Sequence, residues 1–264
     1  MTRTEVVEVA DGAWIEVVIR GDRPDVVLVP SAHRGAADFE GLAGDLLAAG
    51  HGSVAINPRG VAGSSPVARP ATLRALAADV ADVVAVTIGE PAHLVGHALG
   101  NIVVRATAAY RSEAARSVTL LACGGHDLDE APPSDVLLHH FGRCHRADLP
   151  DDQRLESLGI VFFASGNDAS SWLAGWWPAS DVREIFDTTD PSEWWTAGNV
   201  DVLIVQPLED PLCPLGTGQL LQTAMGARAR IVEVPRCGHA ILPEQPEAVA
   251  SALLAFLRNQ EVRT

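Results

Sequence analysis

Lysine is absent from this chain: all 19 of its basic residues are arginine. That absence excludes a lysine Schiff base, pyridoxal-phosphate chemistry, a Walker-A phosphate site and a lysine general base. Positive charge is also scarce, for 34 acidic residues leave a net charge of −15. Nucleic acid and anionic membrane surfaces are therefore poor partners, since binding phosphate needs clustered cations. The four cysteines, Cys123, Cys144, Cys213 and Cys237, form no CxxC pair. They read as reduced, partly buried thiols without a disulfide or metal role. No run of 18 uninterrupted apolar residues occurs, and Met1-Thr2-Arg3-Thr4-Glu5 leads into strand-like alternation without an apolar leader. We expect a cytoplasmic protein without membrane partners.

What is present is an ordinary globular composition, 47% apolar and 20% charged over 264 residues, enough for one α/β domain with an insertion. Residues 5–9 and 13–19 read as a hairpin around Asp11-Gly12. Asp25 to Pro30 is a continuous apolar run, as in a parallel strand buried on both faces. Helical periodicity over 36–49, a strand over 53–56, a helix over 72–86, a strand over 92–96, a helix over 101–110 and a strand over 117–122 follow. Such a rhythm predicts right-handed crossovers and a mostly parallel sheet. It stops between Gly124 and Ala197, where five of the six tryptophans lie, and resumes with strands over 202–206 and 230–234. We expect a core of residues 1–123 and 198–264 and a helical cap of residues 124–197 inserted after strand 6.

Between the strand at 92–96 and the helix at 101–110 stands Gly96-His97-Ala98-Leu99-Gly100. Strand, G-x-S-x-G and helix make the nucleophile elbow of the α/β-hydrolases. Here both glycines are kept and alanine stands where that motif has serine. Four further stretches fall in the order that superfamily uses. Val29-Pro30-Ser31-Ala32-His33-Arg34-Gly35 stands where it commonly has L-H-G-x, with Pro30-Ser31 departing from His-Gly. Asn57-Pro58-Arg59-Gly60 is close to a D-x-R-G turn. Gln206 to Pro214 resembles the acid loop and Pro235 to Ala240 the G-H loop. The chain thus resembles a lidded α/β-hydrolase over all of its length outside the insert.

The resemblance implies Asp210 as the acid, His239 as the base, Ala98 at the nucleophile position, and the backbone N–H groups of Ala32 and Leu99 as an oxyanion hole. Glu209 and Asp127 are rival acids. His97 is expected to pack beneath the elbow, and a thiol on Cys213 or Cys237 would miss the oxyanion geometry. Ser31 and His33, with Trp172, Trp176 and Trp177, are candidates for a substrate pocket that is apolar, and aromatic in part. Adjacent histidines on a helix face apart, so His139, His140 and His145 read as a solvated or partly packed cap helix and not a metal site. The turn Gly166-Asn167-Asp168 beside Phe162-Phe163 has no assigned role. No metal or cofactor is expected, and an apolar cap is compatible with a homodimer.

Three readings of Ala98 follow. Natural alanine would leave an Asp210–His239 dyad activating water against a small, largely apolar ester, lactone or carbamate-like substrate; the G-H-A-x-G pattern is similar to the aminoacrylate and carbamate hydrolases of pyrimidine breakdown. Alanine introduced in place of serine would make the chain an inactive variant of an ordinary Ser-His-Asp esterase or lactonase. Loss of catalysis would leave a ligand-binding or scaffolding protein, which has no need of the acid and base loops.

Overall fold

In the computed structural model, residues 1–67, 72–124, 134–177, 189–213 and 215–262 are described. Eight strands form one sheet in the order β1-β2-β4-β3-β5-β6-β7-β8. They are β1 (Thr2–Glu8), β2 (Trp14–Arg20), β3 (Pro24–Val29), β4 (Gly52–Asn57), β5 (Ala92–His97), β6 (Ala115–Leu121), β7 (Asp201–Pro207) and β8 (Ala229–Val234). The β1–β2 hairpin joins antiparallel to β4, and β4 through β8 are mutually parallel. Helices α1 (Glu40–Ala48), α2 (Leu73–Thr87), α3 (Leu99–Tyr110), α6 (Leu215–Met225) and α8 (Pro246–Glu261) cover the sheet. Between β6 and β7 lie α4 (Asp135–Cys144) and α5 (Asp151–Val161), and the short α7 (Ile241–Glu244) follows β8.

Strand residues alternate between two cores because side chains project to opposite faces at period two. Val27, Val29, Leu94 and Leu120 pack with α2, α3 and α6, whereas Val26, Leu28, Val95 and Leu121 pack with α1 and α8. Both faces are dry, which explains why these strands read as unbroken apolar runs. The Thr72 hydroxyl caps α2 by accepting from Ala75 N–H, and Ser134 caps α4 by accepting from Leu137 N–H.

A third core belongs to the segment between β6 and β7. It joins Cys144, Leu158, Val161, Phe162, Phe163 and Trp172, and it includes Ala240 from the far end of the chain. Trp194 and Ala197, which precede β7, pack instead into the α2–α3 core.

Candidate active site at the carboxyl ends of the strands

The turn between β5 and α3 is made by one residue. β5 ends at His97, α3 starts at Leu99, and Ala98 between them takes φ 51° and ψ −111°. Residues with a Cβ avoid this region, at a cost of about 1–3 kcal/mol. Packing on either side enforces it. A Cβ on Gly96 would lie 2.3 Å from the carbonyl oxygen of Gly100, and one on Gly100 would lie 2.1 Å from that of Val29. Ala98 N–H donates to Leu121 O at 3.1 Å and locks the turn to β6. Ala98 and Leu99 remain half-buried, unlike their neighbours, so the turn faces the end of the sheet.

The loops after β7 and β8 bring an acid and a base together. His239 Nδ1 lies 2.8 Å from Asp210 Oδ2, both residues being buried. Asp210 Oδ1 accepts from the N–H groups of Leu212 and Cys213 at 2.8 and 3.0 Å. These bonds hold the carboxylate ready to accept a hydrogen bond from Nδ1–H, which leaves Nε2 of that tautomer as the acceptor. Glu209 is exposed on the same loop and does not reach the imidazole, although its N–H ties the acid loop to Cys237 O at 2.9 Å. Asp127 lies outside the described residues.

His97 joins the turn to the base. Burial holds its pKa down to about 3, so it is neutral, and its Nε2–H donates to His239 O at 2.8 Å. The two rings lie 5.4 Å apart. Asp210, Cys213 and His239 also bring three metal-ligand atom types within 4.8 Å. Both carboxylate oxygens there already accept hydrogen bonds, so a metal would have to displace the Nδ1 proton. Burial pushes the Cys237 thiol well up, and a neutral buried thiol is a poor nucleophile.

Comparison with known proteins gives the family and the fold. Residues 26–252 match the alpha/beta hydrolase family. The chain belongs to that family. No curated protein matches the sequence. Among solved structures, the fold is similar to an esterase from Exiguobacterium antarcticum, with TM-score 0.79, 17% identity, and coverage of 97% of this chain and 100% of that one. It is similar to a hydrolase from Pseudomonas aeruginosa PA01, with TM-score 0.77, 20% identity, and 97% and 98% covered. A third is a malate-bound thermophilic esterase from Thermogutta terrifontis, with TM-score 0.74, 17% identity, and 98% and 99% covered. This chain is accordingly an alpha/beta hydrolase by family, and its architecture is the alpha/beta-hydrolase fold.

Around the candidate site the loop after β3 is stitched to the segment between β6 and β7. His33, at φ 63°, and Trp177 bond in both directions: Trp177 N–H donates to His33 O at 2.9 Å, and His33 Nδ1 lies 3.0 Å from Trp177 O. The His33 ring stacks on His145 at 5.0 Å. Arg34 is buried beside them. Its guanidinium donates twice to Asp38, at 2.9 and 2.6 Å, and once to Ala174 O at 2.7 Å. It also lies against Trp172 and Trp176, 4.6 and 5.0 Å from their ring centres. No periodicity marks Arg34 in the sequence; its partners across the loop, Trp172, Ala174 and Trp176, stand about 140 residues away.

Phe162 is a second residue that sequence reasoning missed. Its ring is 5.7 Å from that of His239 and 5.1 Å from that of Trp172. Trp172 is only 3% exposed and serves as packing, whereas Trp177 is 38% exposed. The Gly166-Asn167 turn also finds its place. Asn167 donates to Glu244 Oε1 at 2.7 Å, Glu244 Oε1 accepts from Ala164 N–H at 2.7 Å, and its Oε2 accepts from Gly238 N–H at 2.8 Å. Glu244 thus clamps this turn to the His239 loop, and burial raises its pKa. His140 Nδ1 pairs with the Ser157 hydroxyl at 3.1 Å, and His139 stands edge-on to it.

Beside Leu99 a narrow cleft opens into the core. It is lined by Ser31, Ala32 and His33 on one side and by aliphatic side chains of β4, α2 and α3 on the other. Trp172, Trp176 and Trp177 do not line it.

Proposed function

We propose that this chain hydrolyses a small, largely apolar ester, lactone or carbamate-like substrate without a covalent intermediate. The observation that carries the reading is the Asp210–His239 pair, bonded at 2.8 Å and buried, behind a turn whose residue 98 has no hydroxyl. An acid held by two backbone amides and pointed at Nδ1 serves a base, not a scaffold. Here residues 124–197 act as a cap over the core of residues 1–123 and 198–264.

In this mechanism Nε2 of His239 takes a proton from water as the water oxygen bonds to the carbonyl carbon. The carbonyl π electrons move to its oxygen, where the N–H groups of Ala32 and Leu99 receive the charge. Asp210 stabilises the imidazolium. Collapse of the tetrahedral adduct breaks the bond to the leaving oxygen or nitrogen, which recovers the proton from Nε2. Ser31 and His33 border the acyl side, and the tryptophans shape the cap above. Without a nucleophile, the oxyanion hole and binding together supply about 10³–10⁴-fold acceleration over water. That suffices for a labile substrate and not for an ordinary amide.

The test is a panel of alkyl carbamates, activated lactones and p-nitrophenyl esters. The protein is expected to turn over a labile member, with His239→Ala lowering kcat about 10²–10⁴-fold. An unchanged rate in His239→Ala overturns the reading. Ala98→Ser is expected to become labelled by a fluorophosphonate. Labelling of Ala98→Ser with no turnover by the original chain would instead favour a serine esterase that lacks its nucleophile.

A further inference from the structure

The cleft beside Leu99 is a feature that the dyad does not use. Ala32 and Leu99 both line it, together with residues from the ends of β3 and β4 and from the helices α2 and α3. Ile56, Val61, Leu76, Val80, Leu99 and Val103 line it, and every one is aliphatic. Among the described lining residues only His33 carries an aromatic ring. The phenylalanine and tryptophan rings cluster instead on the cap side, around His239.

Charge closes part of the wall. Arg59 donates to both oxygens of Asp79, at 2.8 and 2.6 Å, and its Nη1 lies 2.8 Å from Asp11 Oδ2. Its guanidinium faces carboxylates on every edge, which leaves nothing for an anionic substrate tail. Arg34, the other cation in the wall, is paired with Asp38. With two cations against three carboxylates, the group repels such a tail.

We infer that this cleft is the acyl subsite and that it selects a slender, unbranched, uncharged aliphatic chain over an aromatic or anionic one. The inference rests on the reading of Ala32 and Leu99 as oxyanion donors: a carbonyl oxygen between their N–H groups puts the substituent on its carbon at the cleft mouth. β-Branched walls leave a narrow path that a methylene chain threads and a flat ring does not. Burial of each methylene follows the usual transfer free energy, and affinity should rise with chain length until the cleft is full.

Binding of neutral primary amides, which occupy the site without being consumed, tests this independently of turnover. Calorimetric titration from acetamide to octanamide is expected to show a rise of about threefold to fourfold per methylene, then a plateau. Benzamide should bind more weakly than hexanamide. Leu76→Trp should bring the plateau to a shorter chain, and Leu76→Ala should move it to a longer one; urea unfolding checks that each variant is folded. A flat series, or a plateau that neither Leu76 variant moves, overturns the inference. A chain-length series in a protein that hydrolyses nothing keeps the subsite and removes the dyad. Turnover with a flat series does the reverse.

Discussion

Gly100 illustrates a constraint set by distance alone. Its Cα faces the carbonyl oxygen of Val29, and a methyl there would stand at 2.1 Å. Backbone cannot yield as a flexible side chain would, so Gly100→Ala should destabilise the fold by several kcal/mol, about the upper range for overpacking (~3 kcal/mol or more). Ala98→Gly should act oppositely, relieving a positive φ and raising stability by about 1 kcal/mol in urea unfolding. Both glycines, Asp210 and His239 were legible in the sequence because the chemistry of a strained turn and of an acid–base pair restricts residue type. Glu244, Arg34 and Phe162 were not, because a carboxylate, a guanidinium or a ring has no local signature until distant chain packs against it.

Among the elements, the strands and the helices of the core followed their periods closely. The predicted helix over 101–110 begins two residues earlier, at Leu99, since a single residue suffices for the turn. The segment between β6 and β7 was harder to read. Its tryptophans suggest pocket walls, yet Trp172 is packed and the cleft is built from aliphatic residues of several core elements. What fastens this segment is Arg34 with Asp38, whose side chains are 4% and 7% exposed. Removing one partner of a buried pair strands the other charge. Arg34→Met should therefore cost about 3–5 kcal/mol in urea unfolding, and Arg34→Met with Asp38→Leu should recover most of it. Equal losses in the single and double variants would show that packing against the two indoles, rather than the ion pair, carries the stability.

Over the whole molecule, buried histidines tie stability to acidity. His93 bonds the Ser117 hydroxyl between β5 and β6, and burial holds its pKa down to about 4. The unfolded chain takes up that proton near pH 6.5, the folded chain only near 4. Stability due to this group is thus complete above pH 6.5 and declines as pH falls toward 4, at about 1.4 kcal/mol per pH unit. His97 acts in the same sense down to about pH 3. His93→Gln should flatten the slope of unfolding free energy between pH 6 and 4.5 by that amount. The difference between variant and parent cancels the opposing contributions of Asp79 and Glu244, whose carboxyls burial raises. Among the described residues, no helix is long and apolar enough to cross a membrane.

The bond from Ala240 N–H to Phe162 O, at 2.8 Å, and the close approach of Gly238 to Ala164 N, where a Cβ would lie at 2.7 Å, weld the segment between β6 and β7 to the loop that holds His239. Modularity ends at that weld. A cap grafted here from another member of the family would import a different seat for His239, so new specificity and intact proton transfer would have to be selected together, by exchanging residues 162–167 and 236–244 as one unit.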